Sequence, residues 1–203
     1  MLQATVAWRR DRPIFVVRFL ARQLLQIGGW RVEGEIPAPA KYVLIAAPHT
    51  SNWDFVWAMA MAIVLRVKLN WFAKHTLFVP VIGGLLRRWG GVPIRRHERA
   101  NRVDAIAEQL KRADAMVLLV PAEGTRAYAS HWKSGFYHIA RAASVPVVLG
   151  YLDYAERRGG FGPTLMPSGD VNSDMAMIRA FYRKPVAKHP AAAGPVRLKE
   201  EVS

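Results

Sequence analysis

The chain has 203 residues, enough for one domain with a sizeable core, alone or with a small appendage. It contains no cysteine, which excludes disulfides, thiolate metal sites and a cysteine nucleophile. Its 29 lysines and arginines outweigh 15 aspartates and glutamates, a formal charge of +14 that favours anionic partners such as nucleic acid, phospholipid head groups or phosphorylated substrates.

Asp11 and Pro13 open a predicted helix that Gly28 and Gly29 stop. Its apolar stretch, Ile14 to Ile27, falls short of the roughly 20 residues that cross a bilayer. Arg18 and Arg22 interrupt it, and no small-residue cleavage site follows, so it does not read as an export signal. Ile14, Val17, Leu20, Ala21, Leu24 and Ile27 share one arc, opposed by Arg18, Arg22, Gln23 and Gln26 with Phe15 and Phe19 interleaved. That is the pattern of an amphipathic interfacial helix, although packing on the protein's own core would use the same pattern. Residues 1–31 carry six arginines and one aspartate, which favours the membrane-associating reading.

Val43 to Ala47 is a short apolar run ending at Pro48, and predicts a strand that stops at a polar turn. Asp54 to Leu65, apolar and free of Gly and Pro, predicts a helix buried on most sides. Strands are expected over 68–74, 92–96, 115–120 and 145–151, and helices over 80–89, 101–113 and 135–143. Glycines and prolines from Gly159 to Gly169 suggest a turn-rich hairpin, and 173–182 a last helix. Residues 185–203 read as a loosely ordered tail. The alternation gives an α/β fold for residues 32–184, with a largely parallel or mixed central sheet flanked by helices and the N-terminal amphipathic helix beside it.

Two turns carry candidate chemistry. His49 can take a proton from a hydroxyl and return it to a leaving group, and Asp54, five residues on, can fold back to fix its tautomer. The same residues also fit a capping box, with Ser51 as cap and Asp54 as the acid of the first turn, which has no catalytic meaning; the spacing does not choose. After the strand ending at Val120 comes Glu123-Gly124-Thr125-Arg126: Gly124 permits close approach, Thr125 offers a hydroxyl and Arg126 can grip a phosphate. Glu123 opposes phosphate binding, so its expected work is to orient Arg126 or another donor. Arg95 and Arg96 end the 92–96 strand at a similar position.

These blocks resemble the glycerolipid acyltransferases typified by lysophosphatidic acid acyltransferase. His49 to Asp54 matches H-x-x-x-x-D; Gly90-Gly91-Val92-Pro93-Ile94-Arg95-Arg96 is similar to the glycine and strand block ending in Arg. Glu123 to Arg126 matches E-G-T-R, Lys133-Ser134-Gly135 looks like K-x-G, and Val145-Pro146-Val147-Val148 matches the last apolar block. The resemblance implies transfer of an acyl group from acyl-CoA or acyl-carrier protein to a lysophospholipid hydroxyl, most simply 1-acyl-glycerol-3-phosphate, at an anionic membrane surface. It implies no cofactor beyond the thioester and no covalent acyl-enzyme. His49 would be the base, Asp54 its orienting partner, and Arg96, Glu123, Gly124, Thr125 and Arg126 the phosphate site, with Lys74 assisting. The implied location is peripheral, on the cytoplasmic face of a bacterial-type inner membrane.

The sequence departs from the pattern at Pro48, where many members carry Asn, and at Pro121, which Ala122 separates from Glu123. Both leave the acceptor open to other lysophospholipids, ornithine lipids or lipid A precursors. A non-enzymatic basic protein bound to membrane or nucleic acid is the competing class, but no nucleic-acid module is visible and no nucleic-acid partner is expected. Metal-dependent hydrolysis finds no support in His75, His97, His131, His138 and His189, which lack paired ligand spacing.

Overall fold

The computed structural model describes residues 12–94 and 102–201. Seven strands form one sheet: β1 (Arg31–Glu33), β2 (Lys41–Ala47), β3 (Leu69–Lys74), β4 (Gly91–Ile94), β5 (Met116–Pro121), β6 (Val147–Asp153) and β7 (Arg158–Leu165). The helices are α1 (Arg12–Ile27), α2 (Asn52–Leu65), α3 (Pro80–Arg88), α4 (Arg102–Arg112), α5 (Gly135–Ala143) and α6 (Val171–Tyr182). The order across the sheet is β1-β7-β6-β2-β5-β3-β4, parallel throughout except for the β6–β7 hairpin. The expected α/β architecture with a mixed sheet is therefore what the chain adopts.

β2 is central and apolar on both faces, and its period of two sorts the core. Val43, Ile45 and Ala47 point to the layer of α4, α5 and α6, where Leu110, Phe136, Tyr137 and Met175 are buried. Tyr42 and Leu44 point the other way, toward Met59 and Ala62 of α2. The β2–α2–β3 and β3–α3–β4 crossovers advance toward the same edge of the sheet, so right-handed connections place α2 and α3 on one face. The connections through α4 and α5 run back the other way and cover the opposite face.

α1 does not touch the sheet centre but stacks on α2. Ala21 and Leu25, one helical turn apart, are buried with Ala60, Met61 and Trp30, and the Arg18 Nε–H donates to the Val64 carbonyl at 3.1 Å. Phe15 (77% exposed), Val16, Phe19, Leu20 and Ile27 (84% exposed) face outward. The helix thus does pack on the protein, but through a narrow seam that uses only part of its apolar surface.

Three boundaries differ from the sequence reading. β1, three residues long, has no periodicity to reveal it. β7 runs straight through Gly159, Gly160 and Gly162 because its neighbour comes close: a Cβ on Gly160 would sit 1.9 Å from the Glu33 carbonyl oxygen. The stretch from Pro185, expected to be loose, is fastened to the domain. The Tyr154 N–H donates to the Val186 carbonyl (2.9 Å), Trp132 bridges to Leu198, and Leu198 is buried beside the core that holds Trp132. Two buried side chains, Ala187 and Leu198, spaced along a polar stretch give no pattern that a sequence scan detects.

Candidate active site

The site is built where β2, β5 and β6 end side by side. Register pairs Ala46 with Pro121 and Ala47 with Tyr151, so the three turns that follow converge at the carboxyl edge of the sheet. From Ala47 the chain turns through Pro48 into His49, Thr50 and Ser51. Ser51, in extended conformation, caps α2 by accepting the Trp53 N–H on its Oγ (3.2 Å).

Asp54 folds back over this turn. Its Oδ2 accepts the N–H groups of Thr50 and Ser51, each at 2.8 Å, and lies 3.2 Å from Nδ1 of His49. Capping the helix and facing the imidazole are thus performed by one carboxylate, so the capping box and the His49–Asp54 contact coexist. With Oδ2 as acceptor, Nδ1 is assigned the proton and Nε2 is left as the free nitrogen. Asp54 is only 4% exposed. Burial pushes its carboxyl upward, but hydrogen bonds from His49, Tyr154, Ser51 and Thr50 together hold it below the ordinary carboxylate value.

The Tyr154 contact was not foreseen. Its hydroxyl donates to Asp54 Oδ1 at 2.6 Å. The ring packs edge-on against Trp30 (centroids 4.9 Å, 88°), and Trp30 in turn meets Trp57 of α2. Burial first, and the bond to Asp54 second, raise the phenol well above its ordinary value, so it stays a donor. The available signal was positional: Tyr154 lies just beyond the end of a buried strand, where functional turns gather.

At the second turn Glu123 points inward, 4% exposed, and its Oε1 accepts the His49 N–H at 3.0 Å. The donor it orients is therefore the backbone of His49. Its Oε2 is buried without a hydrogen-bond partner, and desolvation raises the carboxyl above its ordinary value. Gly124 has φ +68°, and a Cβ there would lie 2.9 Å from Lys133 Cγ. Thr125 is exposed, and its Oγ1 accepts the Ala127 N–H (3.2 Å), which shapes the turn.

A cavity of about 800 Å³ opens between α2 and the sheet. His49, Asp54, Gly124, Arg126 and Lys133 line one part of it; Leu44, Met61, Leu65, Leu119 and Phe161 line an apolar remainder. Lys133, the lysine of the K-x-G block, joins the polar part. Of the expected site residues, His49, Asp54, Gly124 and Arg126 therefore share one cavity, Glu123 stands behind it, and Thr125 holds the turn. Lys74 ends β3 with its side chain outside those described, and Arg95 and Arg96 lie outside the described residues. Among the described residues no group of three or more His, Asp or Glu side chains is placed to hold a metal ion. What the arrangement can do is deprotonate a hydroxyl at Nε2, next to cationic groups and an apolar chamber.

The family model described as Acyltransferase matches residues 29–149. The crystal structure of the 1-acyl-sn-glycerophosphate (LPA) acyltransferase PlsC from Thermotoga maritima is similar in fold, with a TM-score of 0.57 at 19% sequence identity, over 83% of this chain and 78% of that one. No curated protein matches the sequence. With a family match that covers more than half of the chain and takes in both the His49 and the Glu123 turns, this chain belongs to the acyltransferase family.

Proposed function

We propose that the chain moves a fatty acyl group from a thioester, acyl-CoA or acyl-carrier protein, to the free hydroxyl of a lysophospholipid, 1-acyl-glycerol-3-phosphate, in phospholipid biosynthesis. The observation that carries the reading is His49 Nδ1 held 3.2 Å from a buried, ionised Asp54 while its ring faces a cavity that is cationic at one part and apolar in the rest.

His49 Nε2 takes the proton of the acceptor hydroxyl as that oxygen attacks the thioester carbonyl carbon. Asp54 stabilises the imidazolium that forms. The tetrahedral oxyanion collapses, the C–S bond breaks, and the imidazolium returns its proton to the leaving thiolate. The protein is never acylated, and no cofactor takes part. Glu123 keeps His49 in register through its N–H, while Arg126 receives the acceptor's phosphate, in this reading with Arg96 and Lys74. The apolar part of the cavity takes an acyl chain; its volume lies within the roughly 300–1,000 Å³ usual for small-molecule sites.

The substrates imply a bilayer, and the outward face of α1, with Phe15, Val16, Phe19, Leu20 and Ile27, supports peripheral attachment, which this reading assigns to the cytoplasmic leaflet. Among the described residues no helix is long and apolar enough to cross a membrane. The deciding experiment is thiol release from an acyl thioester with and without lysophosphatidic acid, with phosphatidic acid identified as product. Acceptor-dependent release with that product is expected. Release without acceptor makes the protein a thioesterase, and no release makes it a binding protein.

A further inference from the structure

Beyond α1, a second element turns an apolar stripe outward. On α3 and its C-cap, Ile82, Leu85 and Trp89 follow one another at i, i+3 and i+7, and are 53%, 58% and 37% exposed, while Gly83 is buried and Leu86 half-buried. Leu77 and Val79 extend the stripe into the preceding turn, both exposed. Arg87 and Arg88 occupy the last turn, and the Arg87 guanidinium lies over the Phe78 ring at 5.3 Å. From Phe55 to His97 the chain contains seven lysines and arginines and not one aspartate or glutamate. The acids Asp104 and Glu108 sit on α4, on the other face of the sheet.

α3 is joined to a strand that lines the cavity. The Trp71 indole N–H donates to the Trp89 carbonyl at 3.0 Å, Trp71 packs edge-on against Phe55 at 5.1 Å, and both Phe55 and Trp71 line the chamber that His49 faces. Phe55 is itself 38% exposed, so a residue of the chamber's lining reaches the surface on this side.

We propose that α3 is a second docking element for an anionic phospholipid bilayer: it lays Ile82, Leu85 and Trp89 into the interface beside α1, and so holds the Phe55–Trp71 side of the cavity against the lipid. The inference rests on the reading of the chain as a lipid acyltransferase that works at a membrane. Charge decides the occupant. A second copy of this chain docked through the same stripe would bring its own Arg87 and Arg88 against these and repel them, whereas an anionic leaflet complements them, each arginine near such a surface strengthening binding about fivefold. A tryptophan at the border between apolar stripe and arginines is the residue type favoured at the head-group level. Two contact helices fix the tilt of the domain, which one helix lying in the interface leaves free.

The absence of cysteine makes the test direct. Leu85→Cys, and Glu108→Cys on α4 as control, are each labelled with a small fluorophore on the full chain and mixed with phosphatidylcholine–phosphatidylglycerol vesicles carrying nitroxide acyl chains. Quenching at position 85 and none at 108 is expected. Ile82→Ser combined with Leu85→Ser should weaken vesicle binding about tenfold or more while leaving acyl transfer to detergent-dispersed lysolipid unchanged. If the protein sediments with vesicles while the label at 85 stays unquenched, α1 docks alone and this inference falls, although the membrane reading stands. Failure to sediment at all removes both. Protection of the label without vesicles, together with a doubled mass in light scattering, assigns the stripe to self-association and overturns the proposal.

Discussion

Tyr154 and His49 grip the two oxygens of one carboxylate: the tyrosine hydroxyl donates to Asp54 Oδ1 at 2.6 Å, and the imidazole faces Oδ2 at 3.2 Å. Tyr154 touches no reacting atom and acts as a positioning residue through Asp54. Tyr154→Phe keeps the ring against Trp30 but removes a hydrogen bond to a charged group, worth about 1.5–3 kcal/mol. We expect kcat to fall on the order of tenfold with little change in KM. A packing role alone would not confine the loss to kcat.

His49→Ala and Asp54→Asn should separate chemistry from architecture. Loss of the base is expected to reduce turnover by about 10² to 10⁴ with the melting temperature near wild type, since the His49 side chain is partly exposed and caps nothing. Asp54→Asn should lose activity and also stability, by about 0.5–2 kcal/mol or more, because its amide cannot accept from Thr50, Ser51 and Tyr154 together. The check is steady-state rate paired with thermal melting; equal melting temperatures for the two variants would contradict this account.

The two buried carboxylates should show opposite pH dependence. Asp54 is held below its unfolded value, so its stabilisation is present above about pH 4 and is lost as pH falls through the folded value. Glu123 is raised by burial, so its favourable state is the protonated one, fully present below the unfolded pKa and lost as pH rises through the folded one. Glu123→Gln keeps an acceptor for the His49 N–H and removes the charge. Its stability relative to wild type should rise between pH 4 and pH 8, measured by denaturant unfolding. A difference that shrinks or reverses over that range would refute the assignment.

Arg126 tests the acceptor site. Arg126→Ala should raise the apparent KM for lysophosphatidic acid about 10 to 100-fold and leave that for the thioester nearly unchanged. Arg126→Lys should recover only part, since an ammonium lacks the planar fork. Arg96→Ala is expected to behave alike. Loss of donor affinity instead would mean that these arginines read the donor's phosphates.

Much of this was legible in the chain because the informative features are local. A strand such as Val43–Ala47, buried on both faces, and the H-x-x-x-x-D and E-G-T-R turns are written in consecutive residues. What stayed hidden depends on partners far apart. Tyr154 reaches Asp54 only because β6 lies beside β2, and Glu123 finds the His49 N–H only because β5 does. Neither pairing leaves a trace in spacing. β7 was obscured for a different reason: its glycines serve close approach, Gly160 to β1 and Gly159 and Gly162 to β6 and the Phe181 ring, and they mimic the punctuation of a loop.

That pairing of β1 with β7 has a consequence for biosynthesis. Arg31–Glu33 leaves the ribosome well before its partner at Arg158–Gly160, so this edge of the sheet closes only after the strands between them have been made. Helices α1 and α2 are complete by then, and the outward side of α1 needs nothing from the later chain. If α1 docks on a bilayer as proposed, a nascent chain can be held there by this helix while the strands that assemble the His49 turn are still being translated, and folding would finish at that surface.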